Sequence, residues 1–406
     1  MKQLNWLGLL VALSLPQAQA ANQEIRALFQ PDSAKPNKNA FVNKTPNSGY
    51  CATYPAECAG YGMFSIRLPV RFTSSRYVST FDWVGAKAPA GWRRLTVTNP
   101  DTQATETVEV RISGMGSRYV LSDAATRLAG GSTSLEGHRR LWTTDSWVHG
   151  IPAPCRYSGV GAYGAEDFRY FWKTPTEGFC FKIPTAHISW MYFDTLDFAY
   201  ELRTPNPLGM SSGRYTGSMV YTLGPGGDFD MGPLMQPNDS NLTLDFVLDV
   251  QHTLKVDIPP GGNRVVLEPQ GGWQRWLDSG RKPVRLYRDQ IFHISASSAF
   301  TMKFECEHGV GWGTGCAIVN DAGYAGLVEV SVSLPDGLTN SAGQPVKRQL
   351  LERSTKTTFQ PSRYVDRRPG TLHFEVSEQQ TGWMIEKSTD RPYSGNITVI
   401  WDSEVG

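Results

Sequence analysis

The chain has 406 residues and a formal net charge of +1, from 39 basic and 38 acidic side chains. That balance leaves no electrostatic footprint for nucleic acid or an anionic membrane, and the length admits two domains or three. Forty Gly, 26 Pro, 12 Trp and 16 Tyr, without long helical periodicity, predict an all-β protein with many turns.

Residues 1–20 read as a secretory leader. Lys2 supplies the positive end, Leu7 to Leu15 are nearly all apolar, and Ala18-Gln19-Ala20 is a small-x-small cleavage site. The apolar run is too short to span a bilayer. The mature chain is expected to begin near Ala21, exported and soluble.

From Ala21 to Ser48 the chain is polar, punctuated by Pro31, Pro36 and Pro46, and shows no long alternating apolar strand. Strands are predicted at 62–70, 77–84, 95–98 and 107–112; in the last, Val108, Val110 and Ile112 share one face. A Gly-, Ser-, Arg- and Trp-rich stretch follows, with Gly137-His138-Arg139-Arg140-Leu141-Trp142 and Asp145-Ser146-Trp147-Val148-His149 inside it. The strand Tyr215-Thr216-Gly217-Ser218-Met219-Val220-Tyr221-Thr222 is expected to close the first domain. Gly and Pro then crowd residues 224–237, which marks a linker. The boundary falls near Asn238, giving domains at 21–237 and 238–406.

Beyond it Leu242, Leu244, Phe246, Leu248 and Val250 alternate, predicting the second domain's first strand over 241–256. Further strands are expected at 265–267, 291–295, 300–306, 316–319, 327–334 and 371–376. With the last strand, in which Ile397, Val399 and Trp401 share a face, this makes about seven strands, an immunoglobulin-like sandwich. Tyr393-Ser394-Gly395 ahead of that strand echoes Tyr215-Thr216-Gly217. The echo suggests two β-domains closed in the same way, or a recurrence of residues common in β-proteins.

Six cysteines fall into local pairs: Cys51 with Cys58, Cys155 with Cys180, and Cys306 with Cys316. In an exported chain an even count favours disulfides, although six thiols allow fifteen connectivities and neighbour pairing rests on short loops alone. No Cys-x-x-Cys and no histidine pair at ligand spacing supports zinc. Gly209-Met210-Ser211-Ser212-Gly213 matches the nucleophile elbow by letter, but a Pro-rich loop precedes it and a strand follows, so it reads as a turn. Gly159 to Gly164 spells GxGxxG without a βαβ context. No catalytic residue, metal ligand or cofactor is assigned. Paired glycosidase carboxylates can be remote in sequence, so a secreted carbohydrate-active enzyme stays open as the alternative.

The second domain resembles the pilin domain of chaperone–usher fimbriae. Residues 241–256, Val265-Val266-Leu267-Glu268-Pro269, the cysteine pair and above all 393–402 carry the likeness. The two-domain layout is similar to alpha-class tip adhesins and pilus initiators. The resemblance implies an incomplete sandwich, completed first by a periplasmic chaperone at an outer-membrane usher and then by a strand from the major pilin subunit. Ile397, Val399 and Trp401 would line that groove. Val405 stands where other pilin classes carry a penultimate Tyr. The missing donor strand in 21–48 places the chain at the fimbrium tip on the cell surface. There the first domain would bind a host-cell glycan or glycoprotein, or start assembly without a receptor. A glycan site combines aromatic faces with Arg donors. Arg139, Arg140 and Trp142, with Trp147 and His149 nearby, are the densest such group, and Trp92-Arg93-Arg94 is a second.

Overall fold

The computed structural model describes residues 21–60, 63–148, 150–157, 161–309, 314–387 and 391–403. The leader, His149, Gly159 and Val405 lie outside the described residues. Two large apolar cores divide the chain into two β units, and a small third cluster around Tyr50, Cys51, Cys58 and Phe171 belongs to the first.

Apart from a separate two-stranded sheet of Val84–Ala86 and Cys180–Lys182, the first unit is built on one large curled sheet. Its central path runs from Met235–Pro237 through Phe72–Ser74, Met191–Phe193, Thr105–Leu121, Arg93–Thr98 and Gly213–Thr222 to Asn241–Val250, Ala21–Phe29 and Val42–Asn43. The 17-residue strand Thr105–Leu121 is its spine, because four neighbours pair along its length: Arg93–Thr98, Asp167–Lys173, Met191–Phe193 and Leu196–Arg203.

Two expectations are corrected here. Ala21–Phe29 is a nine-residue strand, running parallel to Asn241–Val250 in unbroken register from Ala21↔Leu242 to Phe29↔Val250. Ile25, Ala27 and Phe29 are buried on one face while Glu24 and Arg26 point outward. A single Ala in the apolar row, followed by proline-rich polar sequence, hides the alternation. Asn241–Val250, expected to open the second domain, also belongs to the first sheet: it pairs antiparallel with Gly213–Thr222 over ten residues, and Leu242, Leu244, Phe246 and Leu248 sit in the first core. The Gly/Pro run at 224–237 is a loop within the first unit that ends in Met235–Pro237, the strand paired with Phe72–Ser74. Tyr215 to Thr222 therefore does not close that unit.

The joint lies just beyond Val250. Gln251 N–H donates to the Phe29 carbonyl at 2.9 Å. The His252 ring lies 2.9 Å through Nε2 from the Met210 carbonyl and 3.1 Å through Nδ1 from Ser297 Oγ, tying both units to one imidazole. Burial holds this histidine below its ordinary pKa.

The second unit is a two-sheet sandwich. One sheet orders Leu254–Asp257, Leu286–Ala296, Val365–Val376, Ala325–Ser333 and Cys316–Val319; the other orders Leu338–Asn340, Thr357–Pro361, Phe300–Cys306 and Ile397–Ser403. Residues 265–267, expected as a strand, precede the two-residue strand Glu268–Pro269. Two helices that the sequence does not announce, Ser134–Leu141 and Glu378–Lys387, sit against the sheets.

All six cysteines are disulfide-bonded, each to its neighbour in the sequence. Cys51 is bonded to Cys58, seven residues on, which closes the two short helices Tyr50–Thr53 and Pro55–Ala59 against each other. Cys155 is bonded to Cys180, and Cys180 opens the short strand Cys180–Lys182 that pairs with Val84–Ala86. Cys306 is bonded to Cys316 and clips the two sheets of the sandwich together. No bridge joins the two units, so each is stapled within itself.

Candidate functional site

Two regions matter: the last strand of the second unit and the outer surface of the first. Ile397–Ser403 pairs antiparallel with Phe300–Cys306, setting Met302 opposite Trp401, Phe304 opposite Val399 and Cys306 opposite Ile397. Cross-strand partners share a face, yet Met302 and Phe304 are fully buried while Ile397, Val399 and Trp401 are only partly so. The far edge of Ile397–Ser403 carries no strand among the described residues. Trp401 leans on Phe292 at 5.6 Å between ring centroids, and its indole N–H is buried without a hydrogen-bond partner. Leu254 and Val256, on the edge strand of the facing sheet, are half-buried against the same core. The result is a partly covered apolar row on a strand whose outer edge is unpaired among the described residues.

On the first unit the structure separates the predicted receptor residues. Trp142 is corrected: it lies in the core at 2% exposure, its N–H donating to the Tyr119 hydroxyl at 2.9 Å. Tyr119 in turn stands 2.9 Å from His138 Nδ1, and His138 Nε2 is 3.0 Å from the Gly164 carbonyl. A neutral imidazole protonated at Nε2 satisfies the whole chain of bonds. Burial holds His138 below its ordinary pKa and pushes the Tyr119 phenol well up. Trp147 is buried too, stacked on Trp172 at 4.9 Å. Trp142 and Trp147 are thus core aromatics and offer no face to a sugar.

Arg139 and Arg140 are exposed, but on the last turn of helix Ser134–Leu141 rather than in a loop, where cations complement the helix dipole. Arg139 pairs with Asp145 at 2.6 Å and Arg140 with Glu136 one turn earlier. Lys182, fully buried, fixes the adjoining loop: its ammonium reaches the Asp145 and Ser146 carbonyls at 2.7 and 3.1 Å, and burial lowers its pKa to about 8. In the second predicted group, Arg93 pairs with Asp228 and covers Tyr221, while Arg94 pairs with Glu109. Trp92 carries the guanidinium groups of Arg111 and Arg203 at 4.9 and 4.0 Å from its centroid.

One surface that sequence reasoning misses combines an open aromatic face with a cation. Trp190, 47% exposed, lies parallel to Tyr192 within 8° at 5.9 Å, and the Arg71 guanidinium sits 4.3 Å from the Tyr192 centroid. Strands Phe72–Ser74 and Met191–Phe193 bring them together by pairing Thr73 with Tyr192. More than a hundred residues separate Arg71 from Tyr192, so only sheet pairing reveals the group. Nearby strands hold Asp197, 1% exposed, in a two-toothed bond to Arg67, both distances 2.9 Å, with Arg169 at 3.4 Å. Asp197 raises the Arg67 pKa, while burial lowers that of Arg169.

Among the described residues no group of three or more His, Cys, Asp or Glu side chains is placed to hold a metal ion. Ser211 of the elbow-like stretch bonds the Tyr215 hydroxyl at 2.7 Å, between a short 3₁₀ turn and a strand.

No family model matches the chain, and no curated protein does. Among solved structures it is similar to CfaE, the adhesive subunit of CFA/I fimbria of enterotoxigenic Escherichia coli, at 9% identity and a TM-score of 0.26, covering 95% of each chain. A chaperone–tip adhesin complex of CFA/I fimbriae matches at 10% identity and 0.26, over 95% of this chain and 97% of that one. The CsuC–CsuE chaperone–tip pre-assembly complex of Acinetobacter baumannii matches at 7% and 0.21, over 95% and 99%. These three solved structures are a fimbrial tip adhesin and two chaperone complexes of tip subunits.

Proposed function

We propose that the protein is the tip adhesin of a chaperone–usher fimbrium. Its second unit accepts a strand from another chain, and its first unit contacts a host-cell glycan. The observation that carries this reading is the half-covered strand Ile397–Ser403: Val399 and Trp401 stay partly exposed beside fully buried partners, and the outer edge is free of pairing among the described residues. β-Augmentation fits such an edge, with backbone bonds giving affinity and alternate pockets giving register. The occupant is a periplasmic chaperone strand during export and a major-pilin strand in the fibre, with assembly at an outer-membrane usher. Ala21–Phe29 supports the tip position, because that segment is consumed in its own first sheet and is not free to complete another subunit.

For the receptor we propose the Arg71–Tyr192–Trp190 surface, because it joins an exposed ring to a second ring capped by an Arg fork. Arg139 and Arg140 remain the competing site. Purified protein held by its chaperone decides between them on cells or a glycan array. Trp190→Ala with Arg71→Ala should weaken binding at least about tenfold, as expected for one lost charge-assisted bond, while Arg139→Ala with Arg140→Ala should not. The reverse result moves the receptor to the helix. Full adhesion by both double variants removes both sites.

A further inference from the structure

The strand Ala21–Phe29 starts at the residue that follows the Ala18-Gln19-Ala20 cleavage motif. Its first nitrogen donates to Asp239 Oδ2 at 2.5 Å, while Asp239 Oδ1 accepts from the Asn241 N–H at 3.1 Å. Asp239 stands just ahead of Asn241–Val250, the strand with which Ala21–Phe29 runs in parallel. Nitrogen and carboxylate therefore sit at the two adjacent strand starts. One rung further, Asn22 Nδ2 donates to Asp245 at 2.6 Å. Among the described residues Asp239 has no Lys or Arg partner.

In an uncleaved chain the Ala21 nitrogen is a neutral amide with one N–H. Hydrolysis adds water across the Ala20–Ala21 bond: the C–N bond breaks, Ala20 keeps a carboxylate, and the freed amine of Ala21 is protonated at neutral pH. Cleavage thus places a full positive charge, with three donors, against a carboxylate already in reach. A solvent-open pocket lined by Ala21, Asn22, Leu68, Pro69, Asn238 and Asp239 lies beside this pair. We propose that removal of the leader at Ala20–Ala21 creates an ion pair between the new α-ammonium and Asp239 that locks Ala21–Phe29 into the first sheet. Maturation then strengthens the seating of a strand that buries Ile25, Ala27 and Phe29 in the first sheet. This inference is independent of the adhesin reading.

The test uses protein exported to the periplasm and purified. N-terminal sequencing should give Ala21 as the first residue. Asp239→Asn, which keeps the shape and the bond to Asn241, should lower the melting temperature of the first unit by about 2–4 °C. A Gly-Ser extension ahead of Ala21 should do the same, and the two together should cost no more than either alone. Labelling of the α-amine by an amine-reactive ester at pH 7 should be several-fold faster in Asp239→Asn than in the unaltered protein, a readout that stands if the extended chain fails to fold. A different first residue, additive effects of the two changes, or equal labelling rates would overturn the proposal.

Discussion

The strands Gly213–Thr222 and Ile397–Ser403 follow the same local recipe and end differently. In the first, Tyr215 and Gly217 lie inside the strand, which pairs with Asn241–Val250 on one edge and meets Arg93–Thr98 on the other. Tyr215 and Tyr221 are fully buried, and a Cβ on Gly217 would stand 2.4 Å from the Thr96 carbonyl. In the second, Tyr393 and Gly395 precede the strand, one edge alone is paired, and the apolar face is half covered. The difference lies in the neighbour, not in the strand. The first unit recruits cover from both ends of its own sequence, Ala21–Phe29 and Asn241–Val250; the second has no such recruit among the described residues.

Breaking the covered side should therefore cost far more than breaking the open one. Asp197→Ala removes the carboxylate that holds Arg67 and Arg169 inside the first unit. Losing one partner of a buried ion pair typically costs about 3–5 kcal/mol, read as a lower denaturant midpoint for the first transition with the second unchanged. Leu244→Ala, in the fully buried row, should cost about 2–5 kcal/mol. Val399→Ala, half-exposed, should cost only about 1 kcal/mol in the chain alone and about twice that once a strand covers it. Equal costs for Val399→Ala with and without added cover would erase the contrast.

Most of the second unit is legible in the sequence, because its strands alternate cleanly and the Cys306–Cys316 disulfide closes a short loop. The same short-loop reasoning reaches Cys51–Cys58 and Cys155–Cys180 in the first unit, but little else there comes as easily. Asn241–Val250 reads as a strand yet falls on the wrong side of the expected boundary, since a Gly/Pro run such as 224–237 signals a loop without saying what the loop connects. Ala21–Phe29 is hidden because a parallel partner more than two hundred residues away stabilises it. At the candidate sites, the density of Arg and Trp in 139–142 points to a surface, but a helix turns Arg139 outward and the chain then carries Trp142 into the core. Arg71, Tyr192 and Trp190 meet only through strand pairing.

A smaller effect sharpens the comparison through pH. Buried His138 has a folded pKa below its unfolded value, so the folded first unit binds fewer protons than the unfolded chain as pH falls through about 6.5. Its contribution is present above that pH and is lost below it, at up to about 1.4 kcal/mol per pH unit until the folded pKa is reached. His252 at the joint adds in the same direction. Stability of the first unit followed from pH 7 to pH 5 should show this slope, and His138→Gln should lessen it. An unchanged slope in that variant would assign it to other groups.

On the proposed function, the second unit is one strand short. Fusing a flexible linker and an alternating apolar donor strand after Gly406 supplies it in the same chain. Four or five newly buried side chains contribute roughly 6–15 kcal/mol before ordering costs, against a typical domain stability of about 5–15 kcal/mol. The melting temperature of the second unit should rise by about 10 °C or more and the fused protein should be a monodisperse monomer, whereas the unfused chain should aggregate without a chaperone. A stable, monodisperse unfused chain whose melting temperature the added strand leaves unchanged would contradict the proposed function.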